Sequence, residues 1–226
     1  MSLTTGRGPL SGTPAGRFNA PLPRDLVYAE PFGRRVRGVA GGRTVVDSDR
    51  VWLVHRPGSP PTYAFPTADA DPAVAEPEPE LPDHVRLAWH AADAWYEEEE
   101  RVSGHPKSPY HRVDFLRTRR HLRVEVAGTV LVDTDDTVGV YETALAPRLY
   151  VRRDQVRMDL LIASTTTTYC PYKGTASYWN AVVGEVLIPD AAWTYDEPLP
   201  ESSPIRGMLS FYKDRATVVD GLPTTV

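Results

Sequence analysis

The residues with the clearest potential for chemistry in this sequence lie around its single cysteine. Cys170 stands three positions before Lys173, with Pro171, Tyr172 and Gly174 beside them. A cation close to a thiol lowers the pKa of the thiol, which would make Cys170 a nucleophile or a redox-sensitive group. A lone cysteine between aromatic residues is also a common small core hydrophobe, so both interpretations stay open. Pro171 restricts the backbone and Gly174 allows conformations that other residues resist, so the segment is predicted to lead from a strand into a loop.

A second group of titratable residues lies in a turn-rich passage earlier in the chain. His105 and His111 are six residues apart, and Arg112 and Asp114 follow directly. The spacing differs from the i, i+4 histidines of a zincin helix, so the sequence gives no support for a metal site. Each of these residues alone is expected to stabilise a turn or to face solvent. The cluster as a whole is a candidate for a pocket.

Length and composition restrict the function classes. The chain has 226 residues, 25 of them basic and 30 acidic, for a formal charge of −5, which argues against a nucleic-acid partner. One cysteine excludes an intramolecular disulfide framework and a multi-cysteine zinc site, and it suits the reducing cytoplasm. No stretch approaches the roughly 18 apolar residues of a membrane span, and no signal-peptide core is found. We therefore expect a soluble cytoplasmic protein without a membrane partner.

The elements that position these residues are predicted to be mainly β-strands. Val/Thr-rich runs recur between turn residues, and 22 prolines leave few helical segments, so the fold class is mainly β, with α+β as the alternative. Four strands are predicted in the first part, over residues 36–39, 43–48, 51–54 and 62–65. Residues 84–100 have the best helical potential, although their tryptophans suit a strand equally well.

An internal repeat accompanies these strands. At one constant offset Gly42 falls on Gly128, and with a one-residue gap Tyr63 falls on Tyr150. Duplicated hairpins indicate a duplicated structural unit. The Ala/Pro/Glu-rich stretch 70–82 predicts a linker. The predicted organisation is an extended arm over residues 1–24, a shortened β unit over 25–69, the linker over 70–82 and a complete β unit over 83–226.

An ordered series of short motifs indicates a family. The motifs are Trp95-Tyr96-Glu97, Gly104-His105-Pro106, Tyr110-His111-Arg112-Val113-Asp114, Tyr141-Glu142-Thr143, Cys170-Pro171-Tyr172-Lys173-Gly174, Ala192-Trp193-Thr194-Tyr195 and Phe211-Tyr212. This series, over roughly residues 95–221, resembles the DUF427 family, a bacterial and fungal domain of unknown function. The first part of the chain resembles a truncated copy without the Cys-Pro-Tyr-Lys-Gly segment.

The resemblance implies a compact, mostly antiparallel fold similar to the β-tent. Such folds elsewhere hold zinc or bind small ligands in an aromatic pocket, but the zinc-binding cysteine pairs are missing from this sequence. Some family labels suggest a nucleotidyltransferase. The sequence has no Gly-rich phosphate cradle and no recognisable pair of magnesium-binding aspartates, so we do not adopt that label.

Three functions follow from these residues. The first is a small-molecule pocket that acts as a cofactor-independent acid–base enzyme, and the second is the same pocket used for binding alone. The third is a structural role in a homo-oligomer, since aromatic residues are also common in interfaces. The predicted catalytic residues are Glu142, His105, Cys170 and Lys173. The predicted ligand-binding residues are Trp95, His111, Arg112, Asp114, Tyr172, Trp179, Trp193 and Tyr212. Neither a metal nor a cofactor is predicted.

Overall fold

A computed structural model describes residues 3–23 and 25–222, and the chain forms two compact units, residues 1–111 and 112–226. Antiparallel strand pairs build every sheet in both units, and the helices are short 3-10 turns. The predicted mainly β fold class is therefore confirmed. Within the described ranges, no helix has the length and apolar character needed to cross a membrane.

The first unit consists of two sheets. Its strands are β1 (Tyr28–Phe32), β2 (Val36–Ala40), β3 (Arg43–Ser48), β4 (Val51–His55), β5 (Thr62–Pro66), β6 (Ala75–Pro77), β7 (His84–Leu87), β8 (Ala94–Glu97) and β9 (Glu100–Val102). The sheet orders are β1-β4-β5-β7-β6 and β3-β2-β8-β9, with 3-10 turns at Thr67–Asp69 and Trp89–Ala91. The four strands predicted for this part are confirmed as β2 to β5. Their buried residues, among them Val36, Leu53 and Phe65, form one core cluster.

The boundary between the units falls after His111 and not beside the stretch 70–82. That stretch lies inside the first unit, where β6 pairs with β7 through Ala75 and Leu87. Strands β7 and β8 alternate half-buried and buried residues, the period of a strand with one core face. Trp95 pairs with Gly38 and lies in the core. Residues 84–100 therefore form strands around the 3-10 turn at Trp89–Ala91, and they belong to the first unit.

The predicted N-terminal arm also belongs to the first unit. Its residues 1, 2 and 24 lie outside the described ranges. The described part contains turns and bends, and near its start the Thr4 hydroxyl donates a hydrogen bond of 2.9 Å to the carbonyl of Ser59. The carbonyl of Thr4 accepts another from the amide of Gly58, and Thr4 is buried. This end of the arm is therefore attached to the loop between β4 and β5.

The second unit consists of three sheets. Its strands are β10 (Val113–Thr118), β11 (Leu122–Val126), β12 (Thr129–Thr134), β13 (Thr137–Glu142), β14 (Arg148–Tyr150), β15 (Leu161–Cys170), β16 (Gly174–Val183), β17 (Val186–Thr194), β18 (Leu209–Phe211) and β19 (Thr217–Asp220). The sheet orders are β10-β13-β14, β12-β11-β19 and β15-β16-β17-β18. The 3-10 turns are Arg153–Gln155, Met158–Leu160 and Pro200–Ile205.

The two units share their strand registers. Val36 pairs with Ser48 in the first unit, and Leu122 pairs with Thr134 in the second, so corresponding positions are 86 residues apart. The same offset relates the register of β1–β4 to that of β10–β13, and the register of β4–β5 to that of β13–β14. No gap is needed: the position of Tyr63 corresponds to Leu149, so the predicted equivalence with Tyr150 is wrong.

The hairpin turns and bulges correspond as well. Gly41 and Gly42 have φ values of 55° and 77°, and Ala127 and Gly128 have 48° and 77°. Two successive positive φ values are the requirement of the type I′ turn that connects twisted strands. Each hairpin also contains a bulge at the same offset, after Gly38 in the first unit and after its counterpart in the second.

The second unit differs by an added hairpin. In the first unit β5 pairs with β7, and β7 with β6. In the second, Val151 after β14 bridges Leu209 of β18, and β18 pairs with β17. Strands β15 and β16 extend that sheet further. In the described part of the first unit no strand corresponds to β15 or β16.

Candidate functional site

A cavity of about 260 Å³ lies within the second unit. Three charged residues and several aromatic residues line it. The lining residues are Val140, Glu142, Leu145, Ala146, Arg148, Tyr150, Lys173, Tyr178, Trp193, Tyr195 and Tyr212. Apolar walls with a few polar groups are typical of a small-molecule site. A larger hollow of about 930 Å³ lies in the first unit, but it is lined mainly by the prolines and small residues of the arm and offers no acid–base pair.

The alternation of side chains along the strands explains which residues line this cavity. Alternate residues of a strand point to the same side of a sheet, so β13 presents Val140 and Glu142 together. Strand β14 presents Arg148 and Tyr150 in the same way. Trp193 and Tyr195 have this spacing at the end of β17, and Tyr178 of β16 is the register partner of Trp193.

The turn between β15 and β16 positions the lysine. The amide of Lys173 donates to the carbonyl of Cys170, which closes a β-turn with Pro171 at its second position, where proline is favoured. Gly174 has φ of 99°, and a Cβ there would lie 3.3 Å from the backbone nitrogen of Leu199. The amide of Leu199 in turn donates to the carbonyl of Lys173. The segment Cys-Pro-Tyr-Lys-Gly is therefore a shaped turn that a neighbouring backbone holds in place.

The charged centre of the cavity is a buried ion pair. The ammonium of Lys173 contacts Oε2 of Glu142, and the two side chains are only 8% and 9% exposed. Low exposure strengthens the attraction between the charges but makes each charge costly without the other. The pair therefore places a proton donor and a proton acceptor side by side at the cavity wall.

The aromatic walls are hydrogen-bonded to each other. The indole Nε1 of Trp193 donates to the Tyr150 hydroxyl over 2.8 Å, and the Tyr178 hydroxyl lies 2.9 Å from Oγ1 of Thr168. Burial raises the pKa of Tyr150 and that of Tyr195 above the ordinary tyrosine value. Burial, together with a hydrogen bond to Tyr178, raises the pKa of Tyr212 to about 12. These three hydroxyls are therefore neutral at pH 7.

Four of the predicted site residues line the cavity: Glu142, Lys173, Trp193 and Tyr212. The centroids of the Trp193 and Tyr212 rings are 4.4 Å apart, so these two residues form one continuous wall. Glu142 and Lys173, two of the predicted catalytic residues, are in contact. Their roles as catalytic and ligand-binding residues stay predictions.

Other predicted residues of the second unit lie elsewhere. Trp179 is one residue beyond Tyr178 and packs against the opposite core, where Arg153 lies over its ring. Cys170 is half-buried against the apolar cluster, in the position of a small hydrophobe. The Arg112 guanidinium donates to Asp114 over 2.7 Å and is 80% exposed.

The remaining predicted residues do not line the cavity. Tyr172 lies in the turn, and its carbonyl accepts a hydrogen bond from the hydroxyl of Ser202. Trp95, His105 and His111 are part of the first unit. The Trp95 indole donates there to the carbonyl of Trp89. Burial lowers the pKa of His105 below that of an ordinary histidine. Their roles in a site stay predictions.

Sequence reasoning missed Arg148, Tyr150, Tyr178 and Tyr195. The i, i+2 spacing of Arg148 and Tyr150 is visible in the sequence, and Tyr150 belongs to the predicted repeat of β-strands. Tyr195 was part of a quoted motif, two positions after Trp193, and the same rule would have added it. Tyr178 and Trp179 are adjacent aromatic residues of one strand, and the sequence does not show which of the two faces the cavity.

Metal ligation has no support from the geometry. Among the residues that the structure describes, no group of three or more His, Cys, Asp or Glu side chains is placed to hold an ion. The cavity itself contains a single carboxylate, that of Glu142, and its contact with Lys173 makes it a poor ligand for a cation.

A comparison with known protein families found a match to the second unit. Residues 114–221 match the DUF427 family. The matching family, NTP_transf_9, is described as a domain of unknown function. The DUF427 match begins in β10 and ends just after β19, so it includes every residue that lines the cavity. Residues 95–113, where the motif resemblance began, lie outside it. Comparison with curated proteins found no match.

Proposed function

We propose that the second unit binds a small molecule in the cavity and acts on it by proton transfer. The observation that supports this proposal is the buried pair of Glu142 and Lys173 in an aromatic cavity of about 260 Å³. A buried ion pair can be replaced by apolar residues with little loss of stability, so its presence in a core favours a purpose other than packing. Proton transfer requires an acid and a base within hydrogen-bond reach of the ligand, and the pair offers both.

A binding function without turnover is the second candidate. The hydrogen bond between Trp193 and Tyr150 and the contact between Trp193 and Tyr212 give the walls a fixed shape, which binding alone would need. The third candidate, a homo-oligomer, is favoured by the exposed apolar side chains of Ile162 and Leu187 on the added sheet. A cytoplasmic location stays a prediction that rests on the single cysteine.

We propose further that the first unit is a shortened relative of the DUF427 domain. The registers of five of its strands recur in the second unit at an offset of 86 residues. At that offset Arg56 occupies the place of Glu142. Arg56 contacts the buried carboxylate of Glu78, so this position again belongs to a buried ion pair. Without a counterpart of the β15–β16 turn, the unit would have no lysine site.

The experiment is a thermal-shift screen of a metabolite library on the wild-type protein and on Glu142→Gln. A ligand that binds only the folded state raises the unfolding temperature by mass action. We expect hits that disappear in Glu142→Gln and persist in Glu185→Gln, which removes the same charge from an exposed turn. Each variant is compared with its own ligand-free protein. Hits that both variants retain would exclude Glu142 from binding, and an empty screen would move the proposal to the homo-oligomer.

Turnover separates the first two candidates. A hit is incubated with the wild-type protein and followed by mass spectrometry and by deuterium exchange from solvent into the ligand. Proton transfer predicts that the wild-type protein catalyses exchange or conversion and that Lys173→Met does not, although Lys173→Met still binds. Binding without any exchange would leave the second candidate.

A further inference from the structure

Arg148 is the charged residue of the cavity that the ion pair does not explain. Lys173 is balanced by Glu142, whereas no described carboxylate lies within ion-pair distance of the Arg148 guanidinium. With two cationic residues and one carboxylate among the lining residues, the cavity has a formal charge of +1. Most arginines of the second unit, such as Arg123 and Arg152, contact carboxylates. An uncompensated cation in a concave site attracts an anion.

The position of the guanidinium fits an anchoring role. Its Cζ lies 5.6 Å from the ring centroid of Trp193, so the indole stabilises the cation by a cation–π interaction. A cation–π contact uses the charge of the guanidinium and not its N–H groups, and these groups can bind a planar oxyanion with two parallel hydrogen bonds.

The rest of the cavity fits a flat ring. Tyr178 and Tyr212 are stacked with centroids 6.5 Å apart, and Tyr212 meets Trp193 at 4.4 Å. Tyr195 lines the cavity, and its hydroxyl has no hydrogen-bond partner among the described residues. Because the tyrosines are neutral, they do not compete with an incoming anion for the guanidinium.

Size limits the ligand. The cavity of about 260 Å³ is at the small end of ligand sites, which usually enclose roughly 300–1,000 Å³. A molecule with a single ring and one carboxylate, such as benzoate, suits a site of this size.

We infer that the ligand of this cavity is a small aromatic carboxylate, with its carboxylate on Arg148 and its ring against Trp193 and Tyr212. This inference rests on the proposed function, because it names the class of molecule that the same cavity takes. It also places the anion on Arg148 and not on the predicted ligand-binding residue Arg112, which faces solvent beside Asp114.

The test uses benzoate and its neutral isostere benzamide. The indole signal of Trp193, identified by its loss in Trp193→Phe, is followed by nuclear magnetic resonance during each titration. The other four tryptophans serve as internal references for an intact fold. Acetate tests whether a carboxylate without a ring is sufficient, and cyclohexanecarboxylate tests whether the ring must be aromatic. Arg148→Gln removes the anchor, and Arg117→Gln removes the same charge from an exposed arginine outside the cavity.

We expect benzoate to shift the Trp193 signal and to bind at least about tenfold more tightly than benzamide, the ratio of one charge-assisted hydrogen bond. Arg148→Gln should weaken benzoate by about tenfold to a hundredfold and leave benzamide unchanged, and Arg117→Gln should change neither. The inference would be overturned if the wild-type protein bound benzoate and benzamide with equal affinity, or if Arg148→Gln bound benzoate as tightly as Arg117→Gln. Either result would leave the cavity as a binding site. Acetate or cyclohexanecarboxylate binding as tightly as benzoate would overturn its aromatic part. If no probe moves Trp193, the ligand class is wrong, and the metabolite screen decides separately whether the cavity binds anything.

Discussion

The buried pair of Glu142 and Lys173 makes a prediction about stability that is independent of any ligand. Replacing Glu142 by leucine should destabilise the second unit far more than replacing Glu142 by leucine and Lys173 by methionine together. The single change leaves an ammonium group buried without its partner, because the lysine side chain is only 8% exposed. The double change removes both charges and leaves side chains of similar volume in an apolar wall.

The magnitude follows from the burial of the pair. Removing one partner of a buried ion pair costs about 3–5 kcal/mol, whereas its replacement by apolar residues is often neutral. The exposures of 8% and 9% leave little room for solvent to reduce the penalty. For a unit of about 115 residues, 1 kcal/mol corresponds to roughly 4 °C in Tm, so the single variant should lose about 12 °C or more. The double variant should remain within about 1 kcal/mol of the wild-type protein.

The assay is urea unfolding followed through the indole signals. Trp179 and Trp193 report on the second unit, and Trp52, Trp89 and Trp95 report on the first, which serves as an internal control. Changes in midpoint at a constant slope are changes in stability. A single variant that loses less than about 1 kcal/mol would mean that the pair behaves as a solvated surface bridge. A double variant as unstable as the single one would mean that shape, and not charge, determines the cost.

Two further predictions concern the turn of the second unit and a histidine of the first. Ala127 has a φ of 48° in a type I′ turn, where asparagine is preferred, and Gly41 stands at the corresponding position of the first unit. Ala127→Asn should therefore raise the free energy of unfolding of the second unit by about 0.5–1 kcal/mol in urea, with the slope unchanged. A lower midpoint would contradict the turn assignment. Burial lowers the pKa of His55 despite its 3.0 Å contact with Glu30, and Tyr28 and Tyr110 pack against its ring. The unfolded chain therefore takes up the proton first, so the His55 contribution to stability is complete above about pH 6.5 and declines as the pH falls below it. His55→Gln should flatten the dependence of the first unit's midpoint on pH between about pH 7 and 5, and an unchanged profile would exclude His55 as its source.

The strands could be predicted where local sequence determines them. Runs such as 43–48 and 51–54 combine β-branched residues with flanking turn residues, and they form strands at those positions. The repeat could be predicted for the same reason, because Gly42 and Gly128 occupy turns that need a positive φ. The end of the first unit could not be predicted from composition. Residues 70–82 are rich in proline, and only their pairing with β7 places a strand there.

The site was predicted in part. Glu142 and Lys173 are 31 residues apart, and their short motifs indicated both, but only the fold brings the two side chains into contact. Arg148 has no distinguishing neighbours in the sequence. It stands out only in the structure, because it lines the cavity and no described carboxylate contacts it. The sequence does not reveal which alternate set of residues in a strand faces a cavity. It therefore could not separate Tyr178, which lines the cavity, from the predicted Trp179, which does not. A register shift between Trp179 and Ala181 obscures the period further.

The shared registers of the two units have a consequence for how such a domain can change. Five strands have the same registers in both units, while the β15–β16 hairpin occurs, among the described strands, only in the second. The lysine, its shaped turn and one aromatic wall all depend on that hairpin. The strands with shared registers can therefore form without the hairpin that carries Lys173. Loss of this connection would remove Lys173 and Tyr178 from the cavity and leave Glu142 and Arg148 on strands whose registers the first unit also has.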